Sequence, residues 1–405
     1  MDIKNIKKEF PIFKQKINGK PLIYLDSANS SQKPKVVIDR ISHFYETEFS
    51  NVGRSVHALA VKATNSFETT RDKVQKYLNA NHREEIIFTK GATEAINLVA
   101  SSYGKKYINK GDEILITELE HHSNYVPWNF LRTEKGAVIK FAKVNENGDI
   151  ELDEIKKLIT SKTKIIAITH ISNVTGAVLP ITKIVDLAKE KKIPVLIDGT
   201  QGAPHSEIDM QKIGCDFYAI SCHKMYGPNG LGLLYMKKKW VDDLPPYQGG
   251  GGMINEVKKD EISFADAHTK FEAGTMQTAE VVAFAESLNF IEKLGIKNIT
   301  SHENEILQYG LETLKKNNSV NIIGDPKERG SVLCFTLKDI HPHDIATILD
   351  DDGVAIRAGH HCCQILHDKL GIPATARASI GVYNDKEDID KLSDAIKNCQ
   401  KVFQN

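Results

Sequence analysis

The sequence predicts an α/β protein, with a mainly parallel seven-stranded sheet in a large domain and a smaller α+β domain at the C-terminal end. Two observations support this prediction. From about residue 85 to residue 236, apolar strand-like runs alternate with amphipathic helical stretches. Such alternation requires right-handed crossovers and gives a mainly parallel sheet. After Asp260 the alternation gives way to a long helical stretch and then to a mixed pattern, which indicates a second domain.

The strands of the large sheet are predicted where short apolar runs end in polar turns. They cover Glu85–Phe88, Glu113–Thr117, Val138–Phe141, Lys164–Thr169, Val195–Ile197, Phe217–Ile220 and Gly232–Met236. Helical spacing predicts helices over Ala92–Ser102, Leu152–Ile159, Ile181–Lys191 and Ala279–Leu294. The short Asn229-Gly230 link before the last strand permits an antiparallel strand at the edge of the sheet.

The chain divides into three parts on this pattern. Residues 1–20 are too short to fold alone and are expected to pack on the small domain. Residues 21–295 are expected to form the large domain, and residues 296–405 the small one. Helices of the small domain are expected near residues 301–316, 343–350 and 386–402.

Composition excludes several classes of function. The 405 residues carry 53 lysines and arginines against 53 aspartates and glutamates, which gives no support to a nucleic-acid or anionic-membrane partner. No apolar run approaches the roughly 18 residues that cross a bilayer. The first ten residues lack the apolar core of a signal peptide, so the expected location is cytoplasmic.

The six cysteines do not form a disulfide framework, and none belongs to a C-x-x-C pair. Four of them have the surroundings of ordinary small apolar residues: Cys215, Cys222, Cys334 and Cys399. Cys362 and Cys363 differ because they follow the polar, cationic turn from Arg357 to His361. Such a turn favours a thiolate.

Lys224 lies in a polar turn between two apolar runs, Phe217–Ile220 and Leu231–Met236. A lysine between two buried strands is costly unless its amine is paired or used chemically. Its amine could form a Schiff base with an aldehyde, and the ordinary alternative is a loop lysine with its head in solvent. Asp198 ends the preceding strand, where a buried carboxylate needs a cationic partner such as a pyridinium nitrogen.

Other strand ends carry the remaining groups that an aldehyde-bearing pyridine phosphate needs. His121 offers a flat ring, and Ala92–Thr93 begins a helix whose N-terminus can hold a phosphate. Ser221 and His223 could add phosphate contacts beside the lysine. Each group alone has an ordinary structural explanation, such as a helix cap for Thr93. Together, in order along one sheet, they predict a pyridoxal phosphate (PLP) site.

A series of ordered motifs runs from about residue 20 to the end of the chain. They are Tyr24-Leu25-Asp26-Ser27-Ala28, Phe88-Thr89-Lys90-Gly91-Ala92-Thr93-Glu94, Glu120-His121-His122-Ser123-Asn124, Asp198-Gly199-Thr200-Gln201, His223-Lys224-Met225-Tyr226-Gly227-Pro228, Gly249–Gly252 with Met253-Ile254, Phe271-Glu272-Ala273-Gly274-Thr275 and Arg357-Ala358-Gly359-His360-His361-Cys362. With these motifs the chain resembles group II cysteine desulfurases of the SufS type. These belong to the class V aminotransferase branch of PLP enzymes of fold type I.

The resemblance implies a role for each cofactor residue. Lys224 would bond covalently to the aldehyde and move the Cα proton, and Asp198 would hold the pyridinium nitrogen. His121 would stack on the ring and assist proton transfer. The remaining cofactor contacts would come from Gln201 on the ring oxygen, from Thr93, Ser221 and His223 on the phosphate beside Ala92, and from Thr275 on the phosphate of a partner subunit.

The resemblance also implies a substrate and a reaction. Arg377 would bind the substrate carboxylate through a bidentate pair, Asn173 would bond near the cofactor oxygen or that carboxylate, and Arg357 would lie near the Cys362 loop. Cys362 would take the sulfur of L-cysteine as a persulfide and release L-alanine. A homodimer, a SufE-like or SufU-like sulfur acceptor and a role in iron–sulfur cluster assembly are implied, without a metal site in this chain.

Three alternatives stay open from the residues. A selenocysteine lyase or a cysteine sulfinate desulfinase would use the same scaffold, and a non-catalytic sulfur-handling scaffold would lack Lys224 or Asp198. A Rossmann dehydrogenase is poorly supported because no G-x-G-x-x-G lies between a strand and a helix. The chain departs from the family pattern at four positions: Asn29, Met276, Cys363 and Ile365. Cys363 is either a packed small side chain or a second thiol that receives the persulfide.

Overall fold

The computed structural model describes residues 1–53 and 55–404. Its strands, in chain order, are β1 (Lys16–Ile17), β2 (Lys20–Pro21), β3 (Ile23–Tyr24), β4 (Ile86–Thr89), β5 (Glu113–Thr117), β6 (Val138–Ala142), β7 (Thr163–Thr169), β8 (Val195–Asp198), β9 (Phe217–Ser221), β10 (Gly232–Met236), β11 (Ile254–Val257), β12 (Ile262–Phe264), β13 (Val320–Ile322), β14 (Val332–Leu337), β15 (Val354–Ala355), β16 (Arg357–Gly359) and β17 (Thr375–Ser379).

The α-helices lie between and around these strands. They are α1 (Ile3–Lys8), α2 (Lys35–Thr47), α3 (Ala58–Tyr77), α4 (Ala92–Tyr107), α5 (Val126–Lys135), α6 (Leu152–Leu158), α7 (Ile181–Glu190), α8 (Met210–Ile213), α9 (Lys238–Asp243), α10 (Thr278–Leu294), α11 (Ile296–Lys315), α12 (Pro342–Asp351), α13 (Gln364–Leu370) and α14 (Lys386–Gln404). None of the helices in the described ranges is long and apolar enough to span a membrane.

The large sheet has seven strands in the order β4-β10-β9-β8-β7-β5-β6, which confirms the predicted architecture. Each predicted strand is present within two residues of its expected bounds. Their side chains alternate between two apolar layers, as Ile87 and Phe88 do on β4. Burial on both faces explains why these strands are continuous apolar runs in the sequence.

The antiparallel strand is not at the edge of the sheet, so that expectation is wrong. β10 lies between β4 and β9 and runs antiparallel to both, with Gly232 opposite Thr89 on one side and Ser221 on the other. The edge strand is β4, which comes from much earlier in the chain. Because β10 starts where β4 and β9 end, the turns after β4 and β9 lie side by side at one edge.

Helix bounds differ more from the prediction than strand bounds. α4 continues to Tyr107, five residues beyond the prediction, and passes through Gly104, where a Cβ would fall 2.6 Å from the Leu131 side chain of α5. α11 starts at Ile296 rather than near residue 301, directly after Gly295 ends α10. The pattern did not predict α2 and α3, which precede the first strand of the large sheet.

A second, four-stranded sheet in the order β13-β14-β17-β16 forms the centre of the C-terminal part, with its own apolar core. β3 pairs in parallel with β15, so residues 23–24 lie beside this part of the chain. In the N-terminal segment, Lys7 pairs with Asp388 at 3.0 Å, and the Phe10 ring contacts Tyr226 and Tyr383. The segment therefore contacts both parts, and the domain bounds at residues 20 and 295 stay a prediction.

Candidate active site

A cavity of about 160 Å³ lies at the carboxyl edge of the large sheet. Parallel strands end there, so the side chains that follow β4, β5, β7, β8 and β9 converge on it. Its lining includes nine of the residues predicted from the sequence: Ala92, Thr93, His121, Asn173, Asp198, Gln201, Ser221, His223 and Lys224. The lining also contains Asn29, Ser123, Thr169, Ile171 and Thr200.

Lys224 reaches the cavity from the 3₁₀ turn Cys222–Lys224 at the end of β9. Burial, and then the charge of Arg377, lower the pKa of its amine to about 8, whereas Asp198 raises it. A larger share of neutral amine is therefore present near neutral pH than for a lysine in water. This is the property that a nucleophile or a proton carrier needs.

Asp198 ends β8, in register with Ala219 on the neighbouring strand that leads to Lys224. Its carboxylate accepts the backbone N–H of Thr200 at 3.0 Å. Burial raises its pKa, and among the described residues it forms no ion pair within 4 Å. A cation delivered by a ligand would satisfy this buried carboxylate.

His121 lines the cavity in a fixed tautomer. The backbone N–H of Ser123 donates to its Nδ1 at 3.1 Å, so Nδ1 is unprotonated and the neutral ring carries its proton on Nε2. Burial, and then the charge of Lys224, lower the pKa of His121 to about 3. The ring is thus neutral at physiological pH, and Nε2 can donate a hydrogen bond.

The N-terminus of α4 carries the groups from which the sequence predicted an anion site. The backbone N–H of Ala92 donates to Ser221 Oγ at 2.9 Å, and Thr93 Oγ1 lies 2.7 Å from Ser123 Oγ. His223 Nδ1 lies 3.1 Å from Ser30 Oγ. Hydroxyl, imidazole and helix-terminal N–H groups at one place are typical of phosphate sites.

Two arginines lie opposite each other on β16 and β17, with Arg357 in register with Arg377. Arg377 is buried, with Nη2 3.3 Å from Asp26 and Nη1 donating to the Asn173 carbonyl at 3.1 Å. Its buried Nε has no hydrogen-bond partner within the described ranges. An incoming carboxylate would supply that partner, as predicted for the substrate.

Asn29 is one of the residues to which the sequence assigned no role, although it was noted as a departure from the family pattern. Its Oδ1 accepts a hydrogen bond from Arg357 Nη1 at the mouth of the cavity. Two further residues also went unassigned. Ser123 joins His121 to Thr93, and Lys33 donates to the His223 carbonyl at 2.8 Å. Ser123 belongs to the motif Glu120–Asn124, so the sequence could have identified it as a site residue.

Cys362 does not line the cavity, but its loop is attached to the cavity wall. The backbone N–H of His122, next to His121, donates to the Cys362 carbonyl at 2.7 Å. Asn173 Nδ2, predicted as a substrate or cofactor contact, donates to the carbonyl of His361 at 2.7 Å. Cys362 is partly exposed and adopts a left-handed backbone conformation with φ of 56°.

Cys363 is buried, and its Sγ lies 3.4 Å from the carbonyl oxygen of Leu119. Burial, and then Glu120, raise the pKa of its thiol. This environment favours the packed side chain over the second reactive thiol. The other four cysteines are buried and free, as expected.

Two of the predicted cofactor residues, Gln201 and Thr275, have fewer groups available to a ligand in the cavity. Gln201 lines the cavity, but its Nε2 donates to the Ala28 carbonyl at 2.7 Å, so its Oε1 is the atom left for a ligand. Thr275 lies exposed in the loop before α10 and does not line the cavity of its own chain. Its proposed contact with the phosphate of a second subunit stays a prediction.

The residues present fit PLP. The unpaired carboxylate of Asp198 suits a protonated pyridine nitrogen, the neutral ring of His121 offers a flat face, and the amine of Lys224 suits an aldehyde. The α4 N-terminus suits a phosphate. No cluster of histidine, cysteine or carboxylate side chains with the geometry of a metal site occurs within the described residues.

Comparisons with known proteins identify the relatives of this chain. The model of the aminotransferase class-V family matches residues 23–392. Probable cysteine desulfurases from Halalkalibacterium halodurans and Staphylococcus epidermidis are 44% and 46% identical over 403 residues, spanning 100% and 99% of this chain and 99% and 98% of those proteins. The crystal structure of the Escherichia coli cysteine desulfurase CsdA in an S-sulfonic acid form superposes with a TM-score of 0.92, at 34% identity over 99% of both chains.

Proposed function

This chain belongs to the class-V aminotransferase family, and we propose that it is a PLP-dependent cysteine desulfurase that leaves the sulfur of L-cysteine on Cys362. One observation carries the proposal. Lys224 and Asp198 face one cavity whose wall is bonded, through the N–H of His122, to the loop of a partly exposed cysteine. Many enzymes have a lysine and an aspartate that face one cofactor cavity. The cysteine beside the cavity is the feature that indicates sulfur chemistry.

The chain's own groups divide the reaction between them. PLP, when bound, supplies an aldehyde and an electron-withdrawing ring. Asp198 would provide the negative charge that keeps the ring nitrogen of that group protonated. The Lys224 amine, with its lowered pKa, accepts and returns the Cα proton of the substrate near neutral pH. His121, with its proton on Nε2, would donate a hydrogen bond to the bound group.

Substrate orientation and sulfur transfer come from the second part of the chain. Arg377 binds the carboxylate of cysteine with its fork of N–H groups. The thiolate of Cys362 then attacks the substrate sulfur. A new S–S bond forms, the C–S bond breaks with its electron pair left on carbon, and a proton completes the methyl group of alanine. The products are L-alanine and a persulfide on Cys362.

A homodimer is part of the proposal. α2 and α3, with the segments that follow α2, present several exposed apolar side chains, including Tyr45 and Phe49, which are 54% and 50% exposed. Apolar patches of this kind on a globular surface are typical of protein interfaces. Thr275 is exposed as well, so a second copy of the chain would give it a phosphate to contact.

The persulfide needs a recipient because a partly exposed persulfide reacts readily with other thiols. We propose a SufE-like or SufU-like acceptor that delivers the sulfur to iron–sulfur cluster assembly. We also propose a cytoplasmic location. The substrate is proposed to be L-cysteine because the relatives are cysteine desulfurases, and the selenium and sulfinate substrates remain alternatives on the same scaffold.

Mass spectrometry of the purified holoenzyme after incubation with L-cysteine tests this function. We expect one extra sulfur atom on the peptide that contains Cys362, formed together with one equivalent of L-alanine. The Cys362→Ala variant is the control and should carry no sulfur. Alanine formation without any sulfur on Cys362, or at an unchanged rate in the variant, would contradict the proposal. Parallel incubations with L-selenocysteine and cysteine sulfinate would reveal the preferred substrate.

A further inference from the structure

The turn after β5 sends three consecutive side chains to three different places. Glu120 points into the interior, where Thr117 and Asn124 each donate to its carboxylate at 2.6 Å. His121 lines the cofactor cavity. His122 reaches the loop that carries Cys362. Because Glu120 fixes the turn from inside, the positions of the two histidine rings are set together.

His122 makes two hydrogen bonds to the backbone that directly follows the Cys362 side chain, one on each side of Cys363. Its backbone N–H donates to the Cys362 carbonyl at 2.7 Å, and its ring Nε2 accepts the N–H of Gln364 at 3.2 Å. Gln364 is the first residue of α13, where an N–H has no acceptor within the helix. The N-cap residue, Cys363, provides no side-chain hydrogen bond. His122 therefore caps α13 from another part of the chain.

The backbone at this loop needs such support. His361 and Cys362 both adopt left-handed conformations, with φ of 52° and 56°. Residues other than glycine persist there only when their surroundings hold them. The carbonyl of His361 accepts a hydrogen bond from Asn173, and His122 bonds the carbonyl of Cys362 and the N–H of Gln364.

The ring of His122 can accept this hydrogen bond only in one form. Nε2 must be unprotonated, so the neutral ring carries its proton on Nδ1. Partial burial, and then the neighbouring His360, lower the pKa of His122, which favours the neutral form. His360 is exposed, and its ring contacts that of His367 rather than the loop backbone.

We propose that His122 is a positioning residue that holds the Cys362 loop against the wall of the cofactor cavity, so that the thiolate can reach the substrate sulfur. The inference rests on the proposed desulfurase function and adds a residue to it. The same turn carries His121, so the position of the sulfur acceptor is tied to the ring that faces the cofactor. His122 itself does not line the cofactor cavity.

Three variants of the holoenzyme test this role. His122→Ala removes the ring acceptor but keeps the backbone N–H, His122→Gln restores an uncharged acceptor of similar reach, and His360→Ala removes a neighbouring imidazole that does not bond the loop backbone. Rapid mixing with L-cysteine followed by mass spectrometry gives the rate of sulfur arrival on Cys362. The absorbance of the bound cofactor and KM report on the cavity itself. Hydrogen exchange at the Gln364 amide reports on the cap without turnover.

We expect His122→Ala to slow sulfur arrival by at least about tenfold, because small displacements of a reacting group have large effects on rate. Cofactor absorbance and KM should stay within about twofold, and the Gln364 amide should exchange faster. His122→Gln should recover most of the rate, and His360→Ala should match the wild type.

The positioning role is overturned if His122→Ala transfers sulfur at the wild-type rate, or if His122→Gln is no better than His122→Ala. The role is also overturned if the slower sulfur arrival in His122→Ala is explained by a loss of bound cofactor, because the His122 ring would then support the cofactor cavity and not the loop. A wild-type protein that puts no sulfur on Cys362 at all would instead overturn the proposed function, and the positioning role with it. Unchanged exchange at Gln364 would disprove the cap in either case.

Discussion

The lysine and the cysteine of this protein are held in opposite ways. Lys224 follows a buried strand in the middle of a seven-stranded sheet, and its turn is fixed by several donors to the His223 carbonyl, among them Ser31 and Lys33. Cys362 sits between a short strand and a short helix, in a left-handed conformation that costs about 1–3 kcal/mol per residue. A few hydrogen bonds from other segments offset that cost.

The difference matches the two tasks. The amine must meet the same cofactor atom in every turnover, so a rigid frame at a sheet edge is suitable. In the proposed reaction the thiolate approaches the substrate and later presents its sulfur to an acceptor, so a loop with few attachments is suitable. The following changes, in order of decreasing expected effect, test this difference between the lysine and the cysteine.

Replacement of the lysine should have the largest effect. In Lys224→Ala no amine remains to bond the aldehyde or to move the Cα proton, so alanine production should fall by at least about a thousandfold. The absorbance of the covalently held cofactor should disappear. Absorbance spectroscopy and an alanine assay check this, with Lys237→Ala as a control that removes a partly buried lysine at the far end of β10. Retained absorbance in Lys224→Ala would contradict the assignment.

Replacement of the cysteine should stop turnover but spare the cofactor. Cys362→Ala should show the same cofactor absorbance as the wild type and the same initial spectral change with L-cysteine. Sustained alanine production should be lost, because no acceptor takes the sulfur. Stopped-flow absorbance followed by an alanine assay separates the two steps. Loss of cofactor binding in this variant would mean that the two regions are not independent.

The substrate clamp should show an intermediate effect. Arg377→Lys keeps the charge but loses the bidentate geometry and the Nε donor, so kcat/KM for L-cysteine should fall by about ten- to a hundredfold. Steady-state kinetics check this. The matched change Arg357→Lys, on the more exposed neighbouring strand, should reduce kcat/KM by a smaller factor. Equal losses in the two variants would argue against Arg377 as the carboxylate site.

The ionisation of Lys224 predicts a pH dependence with a definite sign. Only the neutral amine attacks an aldehyde, so uptake of PLP by the cofactor-free protein should accelerate as pH rises through the lysine pKa of about 8. Arg377 lowers that pKa and Asp198 raises it. The midpoint should therefore move up in Arg377→Gln and down in Asp198→Asn, as followed by absorbance. Shifts in the same direction would contradict this electrostatic picture.

The second cysteine of the loop should matter least. Cys363→Ala removes a buried sulfur that packs near the Leu119 carbonyl, so stability should fall by only about 1 kcal/mol. Sulfur arrival on Cys362 should change less than about twofold. Thermal unfolding and mass spectrometry measure the two effects. A persulfide found on Cys363 in the wild type would reverse this assignment.

The sequence predicted the large sheet and its edge well because both depend on local patterns. Continuous apolar runs give the strands, and the polar residues that end them, such as Asp198 and His121, must then gather at one edge. The place of β10 inside the sheet was not predictable in this way, since the pairing of Gly232 with Thr89 joins segments far apart in the chain. Local pattern does not encode such long-range register.

The cysteine loop was harder to predict for the same reason. Its composition identified Cys362, but its conformation depends on His122 and Asn173, which come from the ends of β5 and β7. Asn29 was visible only as an unusual residue in its motif. Its bond to Arg357 exists because a turn near residue 29 lies against β16. Contacts of this kind become visible only once the two parts of the chain are packed together.

The close approach of two glycines has a consequence for the evolution of this enzyme. A Cβ on Gly232 would lie 2.4 Å from the Cα of Gly91, the residue that caps α4, the helix proposed to hold the phosphate. Neither glycine offers a side chain to any ligand, yet a methyl group on the first would displace the backbone of the second. Substitution at position 232 is therefore restricted by the backbone that begins α4, and an inventory of ligand contacts would overlook it. A library of variants designed to alter cofactor affinity could therefore include position 232, although its residue contacts no ligand.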